Sequence, residues 1–146
     1  VKPENRAPLR VLVTGSREWR DKTPIYEALD ELAARADVTV VHGACPRGAD
    51  TWASLWARMD SRATNEPHPA NWKQRGASAG FIRNSAMVRL GADLCLAFIR
   101  NESNGATHCA TEAERAGIPT VVFRQTYPDL SVVADALAMV AGGERA

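Results

Sequence analysis

Apolar residues recur along the chain in two alternating rhythms. The runs RVLVT (10–14), VTVVH (38–42), DLCLAFI (93–99) and IPTVVF (118–123) are rich in apolar and β-branched residues and too short for helices, so they predict buried strands. Segments with helical spacing separate them. TPIYEALDELAARA (23–36) offers Thr23 as N-cap, Pro24 at the first helical position, and Ile25, Leu29, Leu32 and Ala36 on one face. GADTWASLWARM (48–59) places Trp52, Leu55, Trp56 and Met59 at helical spacing, and its tryptophans are read as core. Two more helices are predicted, one over about 107–116 that Gly117 stops and an amphipathic one over LSVVADALAMVA (130–141). Residues 60–80, SRATNEPHPANWKQRGASAG, break both rhythms and predict at most a short edge strand near 64–68, then a long loop.

Continuous apolar strands alternating with helices imply an α/β fold. The expected architecture is a single three-layer domain over 10–146, with a mainly parallel sheet of about five strands covered by helices on both faces. Residues 1–9 are expected to be a disordered or extended tail. At 146 residues and 45% hydrophobic content, one domain of this kind has enough material for an ordinary core. No apolar run approaches the roughly 18–20 residues of a membrane span, and VKPENRAP lacks the apolar stretch of a signal peptide. A soluble cytoplasmic protein without a membrane partner is therefore expected, and association into a homo-oligomer is left open.

Formal charge is +1, so no general nucleic-acid field surrounds the protein and any anion site must be local. Of the 18 basic residues 15 are arginine, which suits bidentate contact with phosphate or carboxylate; a genome of high GC content has the same effect on composition. Cys45, Cys95 and Cys109 form no CxxC pair, and with His42, His68 and His108 they show no zinc-ligand spacing. No metal site and no cofactor are expected.

The polar interruptions carry the candidate chemistry. In open α/β sheets ligands bind beyond the carboxyl ends of the strands, and here those ends bear Gly15, Ser16 and Arg17, then Gly43 to Asp50, then Asn101 to Thr107. Gly15 allows close backbone approach, Ser16 offers a hydroxyl and Arg17 a positive charge, although a plain βα turn would look the same. GxGxxG is absent after the first strand, which argues against a conventional NAD site. GACPRGAD has Gly43 and Gly48 at Walker spacing, but Ala49 and Asp50 stand where the lysine and hydroxyl belong, so a kinase or ATPase is disfavoured. The loop still leads into a helix N-terminus that favours an anion, and Asp50 either complements that helix dipole or touches the ligand. Arg83 and Asn84, in GFIRNSAM, are read at the start of a helix, where they either cap it or add a guanidinium and an amide to the same rim.

Taken in order, VLVTGSREW, VVHGACPRGADTWA, HPANW, GFIRNSAMV, ADLCLAFI and NGATHCATEAERAGIPTVVF resemble the YspA-like branch of the SLOG superfamily over about Arg10 to Phe123. These are Rossmann-like domains related to the LOG phosphoribohydrolases and to the DNA-processing protein A family. The resemblance implies a nucleotide or nucleotide-derived ligand at the strand ends. It carries over Gly15, Ser16, Arg17, Gly43, Gly48, Arg83, Asn84, Gly105 and Thr107 as ligand-binding positions, with Asp50 beside them from the residue-level reading. LOG enzymes resemble one another in a Pro-Gly-Gly-x-Gly-Thr-x-x-Glu loop, and here Gly105 and Thr107 remain while Ala110 replaces the glutamate. The leading expectation is a module that binds or senses a phosphorylated nucleoside. A LOG-type nucleotide N-glycosidase using Arg83 with Glu112 or Asp50 is the alternative. A single-strand DNA binder using Arg17, Arg47 and Arg83, with stacking by Trp19 or Trp72, is the third, and the near-zero net charge weighs against it.

Overall fold

The computed structural model describes residues 8–101 and 103–125; the predicted helix over 130–141 and most of the predicted tail lie outside them. Five strands, β1 (Pro8–Gly15), β2 (Asp37–His42), β3 (Ala63–Pro67), β4 (Leu94–Arg100) and β5 (Thr120–Gln125), form one sheet in the order β3-β2-β1-β4-β5. Every pairing is parallel, with Val11 opposite both Val40 and Leu94, and Gly15 opposite Phe98. The helices are α1 (Thr23–Ala33), α2 (Ala49–Met59), α3 (Trp72–Arg75), α4 (Ala79–Leu90) and α5 (Asn104–Arg115).

Strand alternation divides the core. Val11 and Val13 of β1, Val38 and Val40 of β2, and Leu96 and Phe98 of β4 pack against Ile25 and Leu29 of α1 and Ala53 and Trp56 of α2. The opposite faces of the same strands, Leu12, Val41 and Cys95, meet Met87 and Val88 of α4 and Cys109 and Ala113 of α5. Each of these large apolar side chains contributes about 1.5–3 kcal/mol through removal from water. Burial pushes the Cys95 thiol up to about 12 and the Cys109 thiol to about 11, so both are protonated packing groups at neutral pH.

The elements differ from the sequence reading where long-range contacts outweigh local pattern. Lys22 is the N-cap of α1 in place of Thr23, and the Asp21 carboxylate accepts from the Thr23 N–H at 3.0 Å. Met59, at helical spacing with the two tryptophans of α2, is 83% exposed, because α2 ends there and its buried stripe runs through Ala49, Ala53, Trp56 and Ala57. The edge strand β3, ATNEP, has little apolar content and is held by polar bonds. Arg10 grips Glu66 with two guanidinium bonds of 2.9 Å, and His68 stands 2.8 Å from the same carboxylate, which holds the Glu66 carboxyl down at about 2. The long loop expected before residue 80 contains α3 and a 3-10 turn at Gly76–Ser78, and α4 begins at Ala79. Arg83 and Asn84 therefore lie in the second turn of α4, one turn past the helix start.

Strand order reverses between β1 and β4: β2 and β3 run outward on one side, and β5 lies on the other. A crevice opens at the carboxyl ends of two such neighbours because their following connections leave in opposite directions. The interruptions after β1, β2 and β4 meet at that crevice.

Candidate functional site

A cleft of about 430 Å³ occupies the crevice, within the size range of small-molecule sites. Its walls come from Thr14–Glu18 at the end of β1, Gly43 and Cys45 after β2, Asp50 of α2, Trp72 of α3, the first turns of α4, and Arg100, Asn101, Ser103, Gly105 and Ala106 at and after the end of β4. Of the residues expected at the site, Gly15, Ser16, Arg17, Gly43, Asp50, Arg83, Asn84 and Gly105 all line this one cavity. Gly48, Thr107 and Glu112 do not.

Each side chain is fixed by its surroundings. Ser16 is buried, and its Oγ accepts from the Arg100 N–H at 2.8 Å and donates to the Arg100 carbonyl at 3.2 Å, so it clips the end of β1 to the end of β4. Arg100 in turn donates to the Glu18 carbonyl at 2.7 Å. Gly15 and Gly48 bring α2 onto this junction. A Cβ on Gly15 would lie 2.2 Å from Ala49 Cβ, and one on Gly48 would lie 2.3 Å from the Ser16 carbonyl oxygen. Gly48 also sits at φ 84°, a conformation that favours glycine. Ala44 and Asn101 hold φ of 56° and 57°, and both stand at strand ends on the rim. The Ala44 N–H donates to His42 Nδ1 at 3.0 Å, which leaves the His42 Nε2–H to donate to Asn65 Oδ1 at 2.8 Å.

Arg83 crosses the cleft wall. Its Nη1 donates to the carbonyls of Gly43 and, at 3.3 Å, His68, and its Nε donates to Asn84 Oδ1 at 2.8 Å. Nη2 makes no hydrogen bond to any described residue. Gly43 has no side chain because the guanidinium lies against it, 2.6 Å from where a Cβ would stand. Asn84 Nδ2 donates to the Gly105 carbonyl at 3.2 Å and so joins Arg83 to the first turn of α5. That turn carries no side-chain cap, and a Cβ on Gly105 would meet nothing within 4 Å. Its N–H groups, which a helix leaves without internal partners, are open to an anion.

At the mouth Arg17 lies 5.6 Å from the Trp72 ring centre, and Trp72 and Phe81 are 49% and 42% exposed. Both rings line the cleft. Trp19 does not join them: it is 4% exposed, packs edge-on against Phe98 and donates its Nε1–H to the Asp21 carbonyl at 2.6 Å. Arg47 is ion-paired with Glu18 at 3.0 Å.

Asp50 is the buried carboxylate of the cleft. Its Oδ2 accepts from the Cys45 N–H at 3.2 Å, while the Thr51 hydroxyl donates to the Cys45 carbonyl at 3.0 Å, so the first turn of α2 holds both backbone groups of that residue. Burial raises the Asp50 carboxyl above its ordinary value more than the Cys45 hydrogen bonds and the charge of Arg83 lower it. Burial and this carboxylate raise the Cys45 thiol too. The raised folded value makes the protein lose stability as pH rises from the ordinary carboxylate range through that value. Asp50→Asn keeps an acceptor for the Cys45 N–H and removes this loss. Its melting temperature should exceed that of the wild type at pH 7, with the difference shrinking by at most about 1.4 kcal/mol per pH unit on acidification. Thermal denaturation across a pH series checks it; an Asp50→Asn protein less stable than the wild type at every pH would contradict the burial argument.

Arg100 and Phe81 line the cleft without having been expected there, and Ser103 falls within the rim segment that was. The signal for Arg100 was present: a basic residue closes the apolar strand LCLAFIR, as Arg17 follows VLVTGS. Ala110, where LOG loops carry glutamate, packs in a small core cluster with Ala97 and Ile99. Glu112 stands 3.3 Å from His108 on the same helix.

Gene 61 protein of Mycobacterium phage D29 is 47% identical over 120 residues, which cover 78% of this chain and 95% of that protein. Residues 9–74 match the family described as YspA, cpYpsA-related SLOG. The chain belongs to this SLOG family. Membership points to nucleotide-related ligand binding in general, and the Rossmann-like parallel sheet is the fold it calls for. Two structures of the C-terminal domain of a Pyrococcus furiosus hydrogenase are also similar, with TM-scores of 0.44 and identities of 16% and 17%. They cover 82% and 84% of this chain, and 95% of each of those chains is matched. No helix among the described residues is long and apolar enough to cross a membrane.

Proposed function

We propose that the cleft binds a nucleotide or nucleotide-derived ligand and retains it unchanged, as a binding or sensing module does. The observation that carries this reading is the Arg83 guanidinium, fixed by two backbone carbonyls and Asn84, with Nη2 making no hydrogen bond to the described residues, in the same cleft that the uncapped first turn of α5 lines. Such a corner together with open helix N–H groups suits a phosphate. Trp72 and Phe81 at the mouth suit the face of a base, and Arg17 adds a second cation there. Thr107 is exposed outside the cavity lining, so Gly105 is the part of that loop nearest the ligand in this reading.

Retention is favoured over hydrolysis by the carboxylates. Removal of a base needs an acid or base within hydrogen-bond reach of the reacting atoms, directly or through one water. Glu112 faces His108 and Ala110 is apolar, which leaves Asp50 as the buried carboxylate at the cleft. Incubation of the protein with each nucleoside 5′-monophosphate, followed by chromatography, should return the nucleotide intact. Steady release of free base at a rate abolished by Asp50→Asn would replace this reading with the N-glycosidase one.

A further inference from the structure

A carboxylate suits an anion-binding cleft only where it meets a hydrogen-bond donor. Asp50 is 5% exposed and lines the cavity, and its protein partners among the described residues are the N–H and the thiol of Cys45. No cation forms an ion pair with it among the described residues, since Arg83 is directed to carbonyls and to Asn84. A carboxylate has about four acceptor sites, so two donors from one residue leave capacity for two more. Holding the loop does not require a charge. The Thr51 hydroxyl already secures the Cys45 carbonyl, and an uncharged amide at position 50 has an oxygen for the Cys45 N–H.

On the cleft side, the surplus acceptor suits a ligand group that donates and carries no negative charge. Depth along the cleft suggests which group. Trp72 and Phe81 are half-exposed at the mouth, and Asn104 and Gly105 are exposed at the open end of α5, whereas Asp50 is at the floor. In a nucleotide the segment between the base and the phosphate is the sugar, which bears two adjacent hydroxyls when it is ribose. An acidic side chain shortly after the second strand receives a ribose hydroxyl in dinucleotide-binding folds for the same chemical reason.

We infer that Asp50 accepts hydrogen bonds from the 2′- and 3′-hydroxyls of a ribose, so that the cleft selects ribonucleotides over their deoxy counterparts. The inference rests on the proposed reading of the cleft as a nucleotide site and adds the class of sugar. A site built to pair with a hydroxyl rejects an analogue lacking it, because its buried acceptor is then left unmatched.

The test is calorimetric titration of the four common ribonucleoside 5′-monophosphates and their 2′,3′-dideoxy forms into the wild type and into Asp50→Asn. The wild type should bind at least one ribonucleotide about ten- to a hundredfold more tightly than its dideoxy form. In Asp50→Asn that ratio should fall below about threefold while dideoxy binding persists. Asp50→Ser gives the same comparison if the amide variant does not fold. Equal binding of ribo and dideoxy forms by the wild type would overturn the inference and leave the nucleotide site standing. Full discrimination retained in the folded variant would overturn the role of Asp50. Binding of none of the eight compounds would overturn both the inference and the reading beneath it.

Discussion

Gly15→Ala should lower the melting temperature by roughly 10 °C or more, a loss of about 3 kcal/mol, the upper range for overpacking a core. The added Cβ would stand 2.2 Å from Ala49 Cβ and 2.7 Å from the Phe98 carbonyl oxygen. Neither neighbour can turn aside. Ala49 has no rotamer to change, and the Phe98 carbonyl already accepts from the Ser16 N–H at 2.9 Å at the β1–β4 junction. Relief requires α2 to move away from the sheet, which would separate Trp56 and Ala53 from Val11 and Val13. Gly105→Ala is the matched control, because a Cβ there meets nothing within 4 Å and alanine is the better helix former. Its melting temperature should equal or exceed that of the wild type. A Gly15→Ala protein melting within 2 °C of the wild type, on the order of the change that 1 kcal/mol brings at this size, would contradict the packing described for β1 and α2.

The two glycine roles show where sequence and structure part. Gly15 and Gly48 read as bare backbone offered to a ligand, yet their first use is the docking of α2 against the ends of β1 and β4. Only three-dimensional packing reveals this, since the contacts join residues 15, 49 and 98. The strands β1, β2, β4 and β5 were legible because each is an apolar run ended by polar residues, and the rim was legible for the same reason. β3 is barely apolar, and the Arg10–Glu66 pair that secures it spans 56 positions of the chain. The start of α4 was obscured because its apolar residues face two directions. Met87 and Val88 meet the sheet, while Phe81 and Ile82 are exposed, so no helical period stands out. Met59 shares the helical spacing of Trp52 and Trp56 but is exposed, because its helix runs past the edge of the buried stripe. Phe81 was missed for a related reason: an apolar side chain in an apolar segment looks like core until its exposure is known.

Arg83→Ala should weaken nucleotide binding by about ten- to a hundredfold, equivalent to about 1.5–3 kcal/mol for a charge-assisted contact. The same substitution also removes the bonds to Gly43, His68 and Asn84, so about 1–2 kcal/mol of stability should be lost with it. The folded protein should survive, because Arg83 lies outside the two large core clusters. Arg83→Lys keeps the charge but lacks the planar fork that reaches two carbonyls, Asn84 and a ligand at once, and should recover only part of the affinity. The deciding measurement is calorimetric titration of nucleoside 5′-monophosphates into the wild type, Arg83→Ala and Arg83→Lys at a temperature where all three are folded. The cleft assignment predicts a steep fall in affinity for alanine and an intermediate value for lysine; unchanged affinity in Arg83→Ala would contradict it.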